Sequence, residues 1–84
     1  MMIKQGDRIG VELGDTTYEG VYKGRNSEGI PTVEVNWKSV SQQGEPESWI
    51  RMKPKLIEIK EDWSIGMAFH KFTWSGKKHK DILE

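Results

Sequence analysis

Arg8-Ile9-Gly10-Val11-Glu12-Leu13-Gly14-Asp15-Thr16-Thr17-Tyr18-Glu19-Gly20-Val21-Tyr22-Lys23 is the stretch that decides the fold. Its apolar residues recur every second position: Ile9, Val11 and Leu13 share one face while Arg8 and Glu12 take the other. That period belongs to a half-buried β-strand. Gly14-Asp15 is a tight turn. Residues 16–23 are then rich in the β-branched and aromatic side chains that suit a strand. Tyr18 and Val21 fall out of phase on a flat strand, and Gly20 lies between them. A bulge or sharp bend is expected at Gly20, turning Val21 inward.

The pattern continues outward from this hairpin. Residues 24–29 (Gly-Arg-Asn-Ser-Glu-Gly) form a loop by composition, and Pro31 can only open the next strand. In residues 32–37, Val33, Val35 and Trp37 alternate with Thr32, Glu34 and Asn36. Residues 38–47 are polar, contain Gly44 and Pro46, and read as a loop. A fourth strand is expected over 48–52, with Ile50 and Met52 inward and Trp49 and Arg51 on the opposite face. Lys53-Pro54-Lys55 breaks it with a short 3₁₀ turn, and residues 56–59 make a fifth strand. Residues 61–66 read as a turn carrying an apolar anchor, Trp63. A sixth strand is expected over 67–74, with Phe72 and Trp74 on one side and Met67 and Phe69 on the other. Residues 77–84 are too short for an isolated helix and fray unless Ile82 and Leu83 dock. The fold class is therefore all-β: a small SH3-like barrel of five to six short antiparallel strands with a C-terminal extension. Residues 1–59 form the barrel, and residues 60–84 complete or extend the same domain.

Composition narrows the function classes. The chain has 84 residues, 35% hydrophobic and 31% charged, which suits one small domain. With zero cysteines it has neither a disulfide framework nor a thiolate zinc site. There is no apolar run of membrane-spanning length and no signal-peptide pattern, so a cytoplasmic location and no membrane partner are expected. The eight aromatic residues (Trp37, Trp49, Trp63, Trp74, Tyr18, Tyr22, Phe69 and Phe72) either fill one core or are partly covered by a partner, a second copy of the chain included.

The net charge of zero hides an asymmetry. Residues 1–59 hold eight Lys/Arg against nine Asp/Glu, whereas residues 63–80 hold Lys71, Lys77, Lys78 and Lys80 with no acid. In that segment Phe69, His70, Phe72 and Trp74 interleave with the lysines. Single-stranded nucleic acid is bound by this combination, because cations track phosphates and rings stack on unpaired bases. The bland alternative is a core-closing strand followed by a solvated tail. Trp49 and Arg51 join the candidate set, as does an aromatic groove of Trp49, Tyr22 and Trp37 flanked by the loops at 24–29 and 38–47. In the competing reading of that groove, Trp37 belongs to the core and Tyr22 to a strand interface.

Catalysis has little to work with. Cysteine nucleophiles are absent, and no serine sits in a nucleophile elbow. Glu61 and Asp62, adjacent on the chain, point apart as an acid/base pair. His70 and His79, nine positions apart with no third ligand nearby, make a poor metal site. The glycines lack the spacing and following helix of a phosphate cradle. No catalytic residue, metal or cofactor is expected, and the chain reads as a binding module rather than an enzyme.

The runs Gly6-Asp7-Arg8-Ile9-Gly10-Val11-Glu12-Leu13 and Thr17-Tyr18-Glu19-Gly20-Val21 resemble the opening strands of SH3-like and Sm-like small barrels. They are particularly similar to the N-terminal barrel of the archaeal glutamyl-tRNA amidotransferase asparaginase-like subunit, in which a Gly-Asp-Arg start and a Tyr-Glu-Gly-Val bend recur. The likeness covers residues 6–35. It implies a small barrel, a scaffold that hosts RNA binders, peptide readers and assembly adaptors alike. The plasmid-type dihydrofolate reductase shares the Gly-Asp-Arg first strand, but its Val-Gln-Ile-Tyr signature is replaced here by Ser48-Trp49-Ile50-Arg51-Met52, so that activity is not implied. The expected function is contact with RNA or single-stranded DNA through Lys71, Phe72, Trp74, Lys77, Lys78 and Lys80, with Trp49 and Arg51 as additions. The alternative is a protein-interaction module, an inhibitor or assembly adaptor of mobile-element type, using the same aromatic surface.

Overall fold

Strand alternation and two-residue turn chemistry build a single antiparallel sheet. A computed structural model of the protein describes residues 2–40, 49–68 and 82–84. Its strands are β1 (Arg8–Leu13), β2 (Thr16–Arg25), β3 (Pro31–Val40), β4 (Trp49–Glu58) and β5 (Ser64–Met67), in the spatial order β4-β3-β2-β1-β5. Four strands follow one another as a meander and β5 returns to pair with β1. The result is all-β and barrel-like, with the sheet left open between its edges β4 and β5. No helix among the described residues is long and apolar enough to cross a membrane.

The β1–β2 hairpin closes over Gly14-Asp15, with Leu13 paired to Thr16. Gly14 has φ +63° while Asp15, like every other non-glycine among the described residues, is not positive, which is the II′ geometry that matches strand twist. In the next connection, the Asn26 side-chain oxygen accepts hydrogen bonds from the backbone N–H of Glu28 (2.9 Å) and Ile30 (3.0 Å). Asparagine thus folds the loop with its own carbonyl, and Gly29 supplies a φ of +80°.

The expected irregularity at Gly20 is present, and its cause is close approach. The β2–β3 register shifts between Glu19 and Gly20, and a Cβ on Gly20 would sit 1.9 Å from the Glu34 carbonyl oxygen. The residue carried inward is Tyr22, fully buried, whereas Val21 is only half-buried on the Arg8 side. The expectation for Val21 is corrected accordingly.

Two further expectations change. Lys53-Pro54-Lys55 does not end a strand, since β4 runs through it from Trp49 to Glu58. Proline is tolerated there because β4 is an edge and because Met52, Lys53 and Pro54 fall in a register irregularity, between the pairs Trp37–Arg51 and Val35–Lys55. Residues 64–66, read as part of a turn, join Met67, read as the start of a strand, to form β5: Ile65 pairs with Val11 and Met67 with Ile9. The part of the expected sixth strand beyond Ala68 lies outside the described residues.

One face of the sheet builds the core: Ile9, Val11, Tyr22, Val33, Val35 and Ile65, closed by Ile3, Ile59, Trp63 and Leu83. Ile82 and Leu83 do dock. Ile3 N–H donates to the Ile82 carbonyl (2.6 Å) and Glu84 N–H to the Ile3 carbonyl (2.8 Å). The Tyr22 hydroxyl donates to the Glu84 carbonyl at 2.6 Å. Ala68 is also buried, its N–H donating to the Arg8 carbonyl (3.2 Å). The chain on either side of residues 69–81 is therefore held against the core.

Candidate nucleic-acid interface

Cross-strand pairing assigns the paired side chains to one or other face of the sheet. Ile9–Gly20–Val35–Lys55 and Val11–Tyr18–Lys38–Ile50 run across the core side. Gly10–Glu19–Trp37–Arg51 and Glu12–Thr17–Ser39–Trp49 run across the other. The two sets meet where Asn36 is bulged between Val35 and Trp37. This extra residue takes Trp37 off the core side, so the expectation of a core Trp37 is overturned.

On this second face the Arg51 guanidinium lies over the Trp37 ring, 5.6 Å from its centroid. That geometry is a cation–π contact. Trp49 is half-buried one row along, opposite Ser39. Arg51 and Trp49 share a face as expected, and the ring that meets the cation is Trp37. Tyr22 cannot join them, because it is buried on the core side with its hydroxyl engaged. The three-residue aromatic groove is thereby corrected to Trp37, Trp49 and Arg51.

Beside Trp37 lies a buried ionic feature that alternation alone does not mark. Glu19 is 2% exposed and its Oε1 accepts a hydrogen bond and ion pair from the Arg8 guanidinium, itself half in solvent. Thr17 and Ser39 flank it, both buried. Among the described residues, Glu19 Oε2 and Ser39 Oγ have no hydrogen-bond partner. The carboxylate fixes Arg8 at the sheet surface, one row from Trp37.

Edge strand β4 supplies the remaining charge. Arg51, Lys53 and Lys55 are exposed, with Glu58 the only acid of the strand. Ile50, expected inward, is on the Tyr18–Lys38 side but 54% exposed at the open edge, and Leu56 is 60% exposed. Met52 packs partly against the core, as expected. Lysines, a proline and a pairing irregularity are the features that keep an open strand edge from pairing with other chains. Of the residues expected to bind, Lys71, Phe72, Trp74, Lys77, Lys78 and Lys80 lie outside the described residues. No family model, curated protein or solved structure matches the chain.

Proposed function

We propose that the protein is a non-catalytic binding module for RNA or single-stranded DNA, working in the cytoplasm. The observation that carries this reading is Arg51 over Trp37 on an exposed edge strand that also bears Lys53 and Lys55. A ring and a cation held together present a stacking surface and a phosphate contact at one place. The acid-free segment with Lys71, Lys77, Lys78 and Lys80, Phe72 and Trp74 belongs to the same proposal, as does the likeness of residues 6–35 to SH3-like and Sm-like barrels. The described residues on either side of that segment, Ala68 and Leu83, are both buried against the core.

The test is fluorescence anisotropy with a labelled single-stranded oligonucleotide across a salt series. Steep weakening from low to physiological salt is expected. Substituting Lys77, Lys78 and Lys80 by Ala removes most of the binding while the circular dichroism spectrum stays unchanged. No binding by the native chain at low salt overturns the proposal.

A second reading, a protein-interaction module or self-associating chain, is favoured by Ile50 and Leu56, apolar and more than half exposed on β4. It predicts a complex that salt weakens little. Sedimentation with and without oligonucleotide separates the two readings.

A further inference from the structure

The open side of the barrel holds a cleft of about 410 Å³. Leu13, Tyr18, Val35, Met52, Ile57 and Trp63 form its apolar wall, and Lys38 and Lys55 complete the lining. Every strand of the meander contributes, and Trp63 closes the cleft from the segment before β5. Tyr18 and Trp63 are packed together, ring centroids 6.1 Å apart and tilted by 40°. Trp63 is 8% exposed and Tyr18 half-buried, so Tyr18 is the more accessible ring. The lining contains no acid, and among the described residues neither lysine is in an ion pair.

Each lysine has a reason to be there. Lys38 pairs with Tyr18, and Lys55 pairs with Val35, which places both on the core side although neither belongs in a core. The register irregularity in β4 sends Lys55 to this side and Arg51 to the opposite one. A concave apolar site with a few polar groups is the usual form of a ligand pocket, and its volume falls in the common range of roughly 300–1,000 Å³. Aromatic wall and twin cations together fit a ligand that is flat and apolar at one end and doubly contacted as an anion at the other. An unpaired nucleotide has that shape, whereas a base within a duplex already has both faces stacked and an aliphatic peptide leaves the cations unused.

We propose that this cleft seats one unpaired nucleotide of a bound strand, its base against Tyr18 and its phosphate between Lys38 and Lys55. The inference rests on the single-strand reading above and adds a subsite on the face of the sheet opposite Trp37. A strand that crosses the β4 edge meets Arg51 on one face and Lys55 on the other.

The probes are a labelled thymidine octamer, the same octamer with abasic sugars, free thymidine monophosphate and an octaglutamate peptide. Tyr18→Leu, which keeps an apolar wall but removes the ring, weakens octamer binding about tenfold, leaves the abasic octamer unaffected, and is rescued by Tyr18→Phe. Lys38→Gln with Lys55→Gln, both changes at the cleft's polar rim, lowers the salt slope by about 1.4, as expected for two phosphate contacts on a single strand. The monophosphate binds more weakly than the octamer. Octamer binding that is unchanged in the Tyr18→Leu chain and in the double-lysine variant, yet reduced by Arg51→Ala, overturns the subsite and leaves the single-strand reading standing. No octamer binding by the native chain overturns both. Monophosphate bound as tightly as the octamer, or octaglutamate competing equally at matched salt, also overturns the subsite, the first as a free-nucleotide site and the second as a generic acidic-peptide contact.

Discussion

The Tyr22 hydroxyl donates a 2.6 Å hydrogen bond to the carbonyl of Glu84, 62 positions later in the chain. The bond fastens the C-terminal residues to the centre of β2, where Leu83 enters the core and the Arg25 guanidinium donates to the Leu83 carbonyl at 3.3 Å. Tyr22→Phe removes the donor and leaves a part-buried carbonyl, a loss of about 1–2 kcal/mol by chemical denaturation. Leu83→Ala opens the core itself and loses more, about 2–5 kcal/mol.

The same tyrosine gives the fold a pH dependence. Burial holds the Tyr22 pKa above its ordinary value of 10.0, partly countered by Arg25 and reinforced by Glu84. A raised folded-state pKa means that the native chain keeps its proton where the unfolded chain releases it. Stability from this group is complete below pH 10 and declines as pH rises from there through the folded pKa. Denaturation midpoints for the native chain and Tyr22→Phe, measured between pH 8 and about 11, converge at the alkaline end.

Gly20→Ala places a methyl group where the Glu34 carbonyl oxygen already is, 1.9 Å from the new Cβ. Backbone cannot rotate away as a flexible side chain would, so β2 and β3 must separate at their bulge. The expected loss is about 3 kcal/mol or more, at the upper end for overpacking. Gly14→Ala meets no atom within 4 Å and is strained only by its φ of +63°, a loss of about 1–2 kcal/mol. The ratio of the two, from urea midpoints at constant m-value, tests whether contact or conformation dominates at each glycine.

These residues show which parts of the fold the sequence carries openly. Ile9, Val11 and the Gly14-Asp15 turn are legible because alternation and turn chemistry act locally. Trp37 is not, because its face depends on Asn36 being extra relative to β2, a property of pairing that one strand cannot reveal. Pro54 reads as a breaker for the same reason: only the partner strand shows that its missing N–H falls in an irregular edge. In β5 the alternation of Ile65 and Met67 with Ser64 and Gly66 is present, but four residues are too few to outweigh a glycine. Of the candidate site, Arg51 and Trp49 on one face are legible from period two, whereas buried Glu19 and the clefted Lys38 and Lys55 appear only once the strands are in register.

Arg8 and Glu19 form an ion pair with one member buried and the other half in water. Arg8→Ala leaves a carboxylate 2% exposed without its cation. The loss is about 1–3 kcal/mol, because a hydrogen bond to a charged group is removed and water reaches the vacated arginine site. Replacing both, Arg8→Met with Glu19→Gln, restores part of it by removing the buried charge. A double-mutant cycle on thermal midpoints measures the coupling. Losses of Arg8→Met and Glu19→Gln that simply add in the double variant would show that the pair contributes nothing beyond packing.

Arg51→Ala separates binding from stability at the Trp37 contact. The guanidinium is exposed and its cation–π contribution at such a site is about 0.5–1 kcal/mol, so the denaturation midpoint moves little. If Arg51 contacts a phosphate, affinity for a labelled single strand falls across all sequences, and the salt slope drops by about 0.7. Trp37→Leu gives a different signature, because it removes a stacking ring and leaves the cation: affinity falls and the slope is unchanged. Arg51→Lys discriminates further. It keeps the charge but loses the planar face that stacks on indole, so the slope returns to the native value while affinity recovers only in part. Slopes that stay the same in Arg51→Ala and Arg51→Lys alike would remove Arg51 from the interface and leave its contact with Trp37 as surface packing alone.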